Sequence, residues 1–227
     1  MLTWNSGVSP SVLNPKRMDQ IEAFILAGGA SSRMGTDKSQ LLIDQESFTQ
    51  HIAKTLFKIT NSVTVVGRNE TVSHLPVAMD VYPNWGALGG LHGALNACRK
   101  EWAIIVACDL PFVTMELFER LTKERAGYDA VVPIQPDQRP QPLCAIYRVR
   151  SCLEQATALI EMGKRRPLDL LEAVNTRRVS FSELEDLPEA QNFSLTSTPR
   201  QTIMKRLKRL QPSRPRLTPD RVKRHRL

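Results

Sequence analysis

A chain of 227 residues, 41% hydrophobic and 24% charged, is long enough for one α/β domain with a substantial core. Its formal net charge of +8 sits at the end of the chain: residues 200–227 hold eleven Lys/Arg and one Asp, leaving −2 on residues 1–199. The body is therefore not a basic nucleic-acid-binding domain, and no specific nucleic-acid partner is expected. Cys98, Cys108, Cys144 and Cys152 form no C-x-x-C pair, which argues against a zinc site or a disulfide framework and for free thiols in a reducing compartment.

Residues 1–19 are polar, contain two prolines and show no periodicity, the pattern of a disordered extension. They lack an apolar h-region, so no signal peptide is read and a cytoplasmic location is expected; Met18, just ahead of the first apolar run, is an alternative start. Residues 21–26, apolar except for Glu22, predict a buried strand. A loop follows with Gly28, Gly29 and Gly35, two serines, Arg33 and Lys38. Residues 47–59 place Phe48, Ile52, Leu56 and Ile59 on one helical face, with Ser47 as N-cap and His51 on the surface. Strands are predicted over 62–67 and 77–80, the latter ending in Asp80. Pro83 and Gly86 break the chain before a helix over 88–99 that opens with Gly89-Gly90.

The apolar run 103–108 predicts another strand, far too short to span a bilayer, and Asp109-Leu110-Pro111 ends it. Thr114 caps a helix reaching about Arg125. Strands over 129–134 and 143–147 flank a loop rich in Pro, Gln and Arg; helices follow over 151–162 and 166–174, then an edge strand over 179–181. Residues 211–227, rich in Pro and Arg with few apolar positions, read as a basic disordered tail, for which attraction to an acidic partner, RNA or a membrane surface and plain solvation all stay open. The domain proper is thus 20–210.

Strands alternating with helices at this spacing imply a doubly wound, mostly parallel sheet, in which ligands bind at the carboxyl ends of strands. The glycine loop, Asp80 and Asp109 all fall at such ends. A glycine-rich loop after a first strand brings backbone N–H groups close to phosphate oxygens, and Arg33 and Lys38 add full positive charge. The loop is neither a Walker A motif nor a G-x-G-x-x-G fingerprint. A carboxylate after a fully apolar strand suits a helix cap, a loop hydrogen bond or a Mg²⁺ ligand, since Mg²⁺ needs only one or two carboxylates beside substrate phosphates and water. No Ser/His/Asp or Cys/His constellation is evident.

Taken whole, Leu26-Ala27-Gly28-Gly29, Arg33-Met34-Gly35, Asp37-Lys38 and Leu41-Leu42 resemble the signature loop of the molybdenum cofactor guanylyltransferases, the MobA family. Gly29 and Asp37-Lys38 favour that family over sugar-nucleotide and cytidylyl enzymes, which usually show L-A-A-G and a later Pro-Lys. The resemblance covers roughly residues 21–205 and implies a three-layer Rossmann-like nucleotidyltransferase fold. It implies nucleotide contacts from Leu26, Ala27, Gly28, Lys38, Asp80 and Asp109, a Mg²⁺ ligand in Asp109, and catalytic roles for Arg33, Lys38 and Asp109. The implied reaction transfers GMP from GTP to the terminal phosphate of molybdenum-molybdopterin and releases pyrophosphate. Molybdopterin-handling proteins or a molybdoenzyme apoprotein are the further partners it leaves open; a membrane is not among them.

Pro142-Leu143, Ala145 and Tyr147 resemble a later family stretch, and Gly163-Lys164-Arg165-Arg166 a glycine–arginine segment, so Arg139, Arg165 and Arg166 are candidates for the pterin side. The family's N-x-N-T-P run has its counterpart in residues 195–199, Leu-Thr-Ser-Thr-Pro, without either asparagine. The alternative readings are a cytidylyltransferase of the same cofactor or another small-molecule nucleotidyltransferase, and, of a different class, an adaptor protein whose inactive nucleotide fold delivers cofactor through its basic tail; intact Arg33, Lys38 and Asp109 speak against the adaptor.

Overall fold

A computed structural model describes residues 20–27, 42–43, 46–67, 75–190 and 193. The glycine loop from Gly28, with Arg33 and Lys38, lies outside them, as do the 1–19 extension, residues 195–199 and the 211–227 tail. Among the described residues, seven strands form one sheet: β5 (Val77–Ala78), β4 (Val63–Val66), β1 (Ile21–Leu26), β6 (Trp102–Ala107), β8 (Cys144–Arg148), β7 (Ala130–Pro133) and β9 (Thr176–Val179), in that spatial order. β5, β4, β1 and β6 run parallel, β8 runs against β6 and β7, and β7 and β9 are parallel to each other. β2 (Leu42–Ile43) and β3 (Glu46–Ser47) form a separate short antiparallel pair.

Two apolar layers cover this sheet, which makes the three-layer α/β architecture. On one face α1 (Phe48–Leu56) and α3 (Met115–Lys123) bury Ile52, Leu56, Leu117, Phe118 and Leu121 against Ile21, Ala23, Ile25, Ile104, Val106 and Ile146. On the other, α2 (Gly86–Ala97), α4 (Val149–Glu161) and α5 (Pro167–Ala173) bury Leu88, Leu91, Leu95, Cys152, Ile160 and Leu170 against Phe24, Leu26, Ile105, Val132 and Tyr147. Alternate residues of β1 and β6 belong to opposite faces, as the two-residue strand period demands. β6 reads as an unbroken apolar run, and β1 as one interrupted only by Glu22, because both faces are covered. The one charge in β1, Glu22, accepts the backbone N–H of Arg99 at 2.7 Å.

Local signals set several boundaries. Ser47 caps α1 in a full capping box with Gln50, and Thr114 caps α3 through the amide of Leu117 at 3.3 Å. The last strand departs from the predicted 179–181: it pairs over Thr176–Val179, because Ser180 and Glu183 form a capping box that turns the chain into a short 3₁₀ helix at Phe181–Glu183. The third strand stops at Ala78, so Met79 and Asp80 lie beyond it.

α2 begins at Gly86, two residues earlier than the apolar pattern indicates, and its glycines have a packing reason. A Cβ on Gly89 would stand 2.8 Å from the Trp85 Cβ and 2.9 Å from the Tyr82 carbonyl; one on Gly90 would meet, among the described residues, only Leu26 Cδ1, at 3.7 Å. Gly89→Ala should therefore destabilise the fold by about 1–3 kcal/mol through forced backbone movement. Gly90→Ala should be neutral or stabilising by up to about 1 kcal/mol through helix propensity. Chemical denaturation of the two variants checks this, and equal losses at both positions would contradict it.

Candidate functional site

The register brings the carboxyl ends of β1, β4 and β6 level: Leu26 stands opposite both Val66 and Ala107. The pairing continues one residue further, with the Ala27 amide donating to the Val66 carbonyl at 2.9 Å and the Cys108 amide to the Leu26 carbonyl at 3.1 Å. Asp109 is therefore next to the point where the chain leaves β1 for the glycine loop. The Leu110 amide closes a turn onto Ala107 at 3.1 Å, and Asp109 is half-buried in that turn. Leu26 and Ala27 thus reach the same edge as Asp109, as the sequence predicts.

Asp80 arrives from the other side. It lies two residues beyond β5 and accepts the Tyr82 amide at 3.0 Å. A Cβ on Gly93 would be 3.2 Å from Val66 Cγ1, 3.4 Å from the Met79 carbonyl and 3.5 Å from the Asp80 Cα; one on Gly89 would be 3.6 Å from Asp80 Oδ1. Glycine at both positions lets α2 lie directly against the 79–82 segment and the β4 end. Burial pushes the Asp80 carboxyl above its ordinary value, opposed by the Tyr82 hydrogen bond and the charge of His92.

His92, on α2, is 4% exposed and packs edge-on to the Tyr82 ring, with centroids 4.8 Å apart. Its Nε2 is 3.1 Å from Thr157 Oγ1 of α4. That hydroxyl donates its hydrogen to the Leu153 carbonyl at 2.9 Å, so it can only accept from the imidazole. The proton is thus assigned to Nε2, which leaves Nδ1 buried without a hydrogen-bond partner among the described residues. Burial lowers the affinity of the ring for a second proton, partly offset by Asp80.

Other loops reach the same edge. β8 starts at Cys144 opposite Val106, so the loop before it, which carries Arg139, sits there; the Arg139 side chain is 81% exposed, 3.7 Å from Asp137. α4 starts at the far edge and returns the chain to this one. Arg165 lies over the indole of Trp85, 4.5 Å from the ring centroid, and Arg166, 75% exposed, pairs with Asp169 at 3.2 Å. Tyr147 belongs to the core instead, fully buried with its hydroxyl donating to the Pro142 carbonyl at 2.7 Å. A cleft at the opposite edge is lined by Lys100, Glu101, Asp129, Arg148, Arg150 and Glu154; in it Arg148 pairs with Glu101 at 3.0 Å and Asp129 accepts from the Ser151 hydroxyl at 2.7 Å.

Tyr82, Trp85 and His92 were not indicated by any motif. The one sequence trace of them is the Gly89/Gly93 spacing, which marks a helix face built for close contact. Among the described residues no group of three or more His, Cys, Asp or Glu converges as a metal cluster, and no helix is long and apolar enough to cross a membrane.

Folding lowers the proton affinity of His92, so between its folded value and 6.5 the unfolded chain binds more protons and stability falls as pH drops through that window. The raised carboxyl of Asp80 acts in a window that begins at its ordinary value of 3.8 and extends upward, with opposite sign. His92→Leu should stay within about 1 kcal/mol of the parent at pH 7, since it removes an unpartnered nitrogen. It should also flatten the fall in thermal midpoint between pH 6.5 and 5.5. A variant with an unaltered acid slope would contradict the assignment.

Comparison with known proteins agrees with this architecture. The family model described as a MobA-like NTP transferase domain matches residues 23–178. A "probable molybdenum cofactor guanylyltransferase" of Pelotomaculum thermopropionicum is 30% identical over 194 residues, covering 84% of this chain and 94% of the relative. One of Flavobacterium johnsoniae is 28% identical over 182 residues, covering 79% and 92%. The crystal structure of molybdopterin-guanine dinucleotide biosynthesis protein A from Archaeoglobus fulgidus matches with a TM-score of 0.68 at 25% identity, covering 83% of this chain and 97% of that one. With a family match over more than half its length on the expected sheet, the chain belongs to the MobA-like nucleotidyltransferases.

Proposed function

We propose that this protein is a cytoplasmic, Mg²⁺-dependent guanylyltransferase that acts on molybdenum-molybdopterin, with residues 20–210 as its catalytic domain. The observation that carries the reading is the meeting of the β1 end, Asp80 and Asp109 at one edge of the sheet, in a chain whose relatives are named for this activity.

An oxygen of the terminal phosphate of molybdopterin attacks the α-phosphorus of GTP. The bond from that phosphorus to the α–β bridging oxygen breaks, and the electron pair leaves on pyrophosphate. The nucleophile needs no general base, because a phosphate monoester with a second pKa near 6 is already largely ionised at pH 7. The barrier lies in bringing two polyanions together: one pair of unit charges at about 4 Å costs roughly 4 kcal/mol at an effective dielectric of about 20. Lys38 and Arg33 offset that repulsion and the charge on the leaving pyrophosphate. Leu26, Ala27 and Gly28 contact the nucleotide through their backbone, and Asp80 completes its binding.

Asp109 fits a Mg²⁺ ligand: it is a hard oxygen donor, half-buried at the strand end, with no further cluster of ligating side chains among the described residues. One carboxylate plus substrate phosphates and water is the usual Mg²⁺ arrangement. When bound, the ion neutralises phosphate charge. On the acceptor side, Arg139 and Arg166 are among the exposed cations that reach this edge. Molybdopterin-handling proteins or a molybdoenzyme apoprotein are the partners from which the acceptor arrives and to which the product passes.

Equilibrium binding of GTP, CTP and ATP to the purified protein, with and without Mg²⁺, tests the nucleotide half. GTP should bind best and only weakly without Mg²⁺. Lys38→Ala and Asp109→Ala should each weaken it by about 1.5–3 kcal/mol, the value of a charge-assisted contact. A preference for CTP would make the enzyme a cytidylyltransferase, and no Mg²⁺-dependent binding of any of the three would refute the reading.

A further inference from the structure

The segment between Asp80 and α2 does more than hold the aspartate. Asn84 at φ +66 and Gly86 at φ +75 flank Trp85, and the Trp85 amide donates to the Tyr82 carbonyl at 3.1 Å, so the turn is tight. Its indole Nε1–H donates to the Lys164 carbonyl at 2.7 Å. The Leu88 amide, in the first turn of α2, donates to the next carbonyl, that of Arg165, at 3.4 Å. The Arg165 guanidinium lies over the indole face at 4.5 Å. Two successive carbonyls and one side chain of the α4–α5 loop are thus held on a single turn beyond Asp80.

This arrangement separates two adjacent arginines. Arg165 is engaged by the indole, a contact that desolvates its planar cation on one side. Arg166, the N-cap residue of α5, is three-quarters exposed; among the described residues its guanidinium pairs with the mostly covered carboxylate of Asp169 at 3.2 Å. The exposed guanidinium keeps further N–H donors that can meet a phosphate without breaking that pair. Gly163, at φ +82, and the Gly163 and Lys164 amides, which bond back to Ile160 and Leu159 at 2.9 Å, fix the other end of the loop.

We propose that Trp85 is a positioning residue for the acceptor: through the Lys164 carbonyl and the Arg165 side chain it holds the 163–166 loop so that Arg166 meets the acceptor's phosphate. This rests on the reading of the protein as a transferase to a phosphate-bearing acceptor. Trp85 itself touches neither substrate. It removes the cost of ordering the loop when the acceptor binds, and it ties that loop to the turn that carries Asp80.

The test compares the full-length protein with Trp85→Phe, which keeps a ring for Arg165 but lacks the N–H, and with Trp85→Ala, which lacks both. Backbone hydrogen exchange at Leu88 and over 163–166 should accelerate about tenfold or more in Trp85→Ala and less in Trp85→Phe. In steady-state transfer from GTP, the KM for molybdopterin should rise about tenfold in Trp85→Ala, with GTP affinity within about twofold of the parent. Unchanged exchange, an unchanged acceptor KM, or an equal weakening toward GTP and acceptor would each overturn the proposal. If the parent protein transfers nucleotide to no molybdopterin at all, the functional reading fails, while the exchange comparison still decides whether Trp85 holds the loop.

Discussion

Between Gly89 and the carbonyl of Tyr82 there is no room for a Cβ, and the geometry of the site depends on that close approach. Because α2 can lie against the 79–82 segment, Asp80 is brought in beside the ends of β4 and β1 rather than being left on an exposed edge. The same helix packs Leu88, Leu91 and Leu95 into the core, so the contact is braced from behind by buried apolar surface. One helix thus meets the Asp80 turn, the β1 end through Gly90 and Leu26, and the α4–α5 loop through Trp85 and Leu88. A shift in α2 would be felt by all three.

The sheet supplies the second half of the geometry. Parallel pairing of β4, β1 and β6 makes three neighbouring strands end at one level, and each of them runs on into a loop at the same edge. The antiparallel β8 would break that pattern, but it returns the chain to the same edge at its start, so the Arg139 loop arrives beside the others. The charge balance of the body, −2, leaves the binding of a polyanion to placed cations rather than to an overall field. In the proposed function, Lys38, Arg33 and a carboxylate suited to Mg²⁺ are the local solution to that problem.

Much of this was legible in the sequence. β1 and β6 announce themselves as apolar runs because strands covered on both faces carry no alternation. Ser47 and Thr114 mark helix starts because their hydroxyls satisfy amides that a helix cannot. The placement of Asp109 two residues beyond β6 follows from the run that precedes it. Strand direction was not legible: the buried part of β8, Cys144–Tyr147, is an apolar run like β6, and hydrophobic patterning is blind to polarity when both faces are buried. The end of β5 was misplaced because Met79 continues the apolar pattern, yet it is 80% exposed. Trp85 and His92 escaped notice because their partners, Lys164 and Arg165 for the one and Thr157 for the other, are more than sixty residues away; Tyr82 follows from the His92 ring it packs against. The division between Arg165 and Arg166 likewise depends on which one finds an indole, and adjacent identical residues carry no mark of that.

The central claim is the bond that is made and the bond that is broken. Purified protein, GTP labelled separately at the α- and γ-phosphates, Mg²⁺ and molybdenum-molybdopterin should give α-label in the pterin product and γ-label in pyrophosphate, in equal amounts. Release of γ-label as orthophosphate, or its appearance in the pterin, would mean a different cleavage and contradict the account.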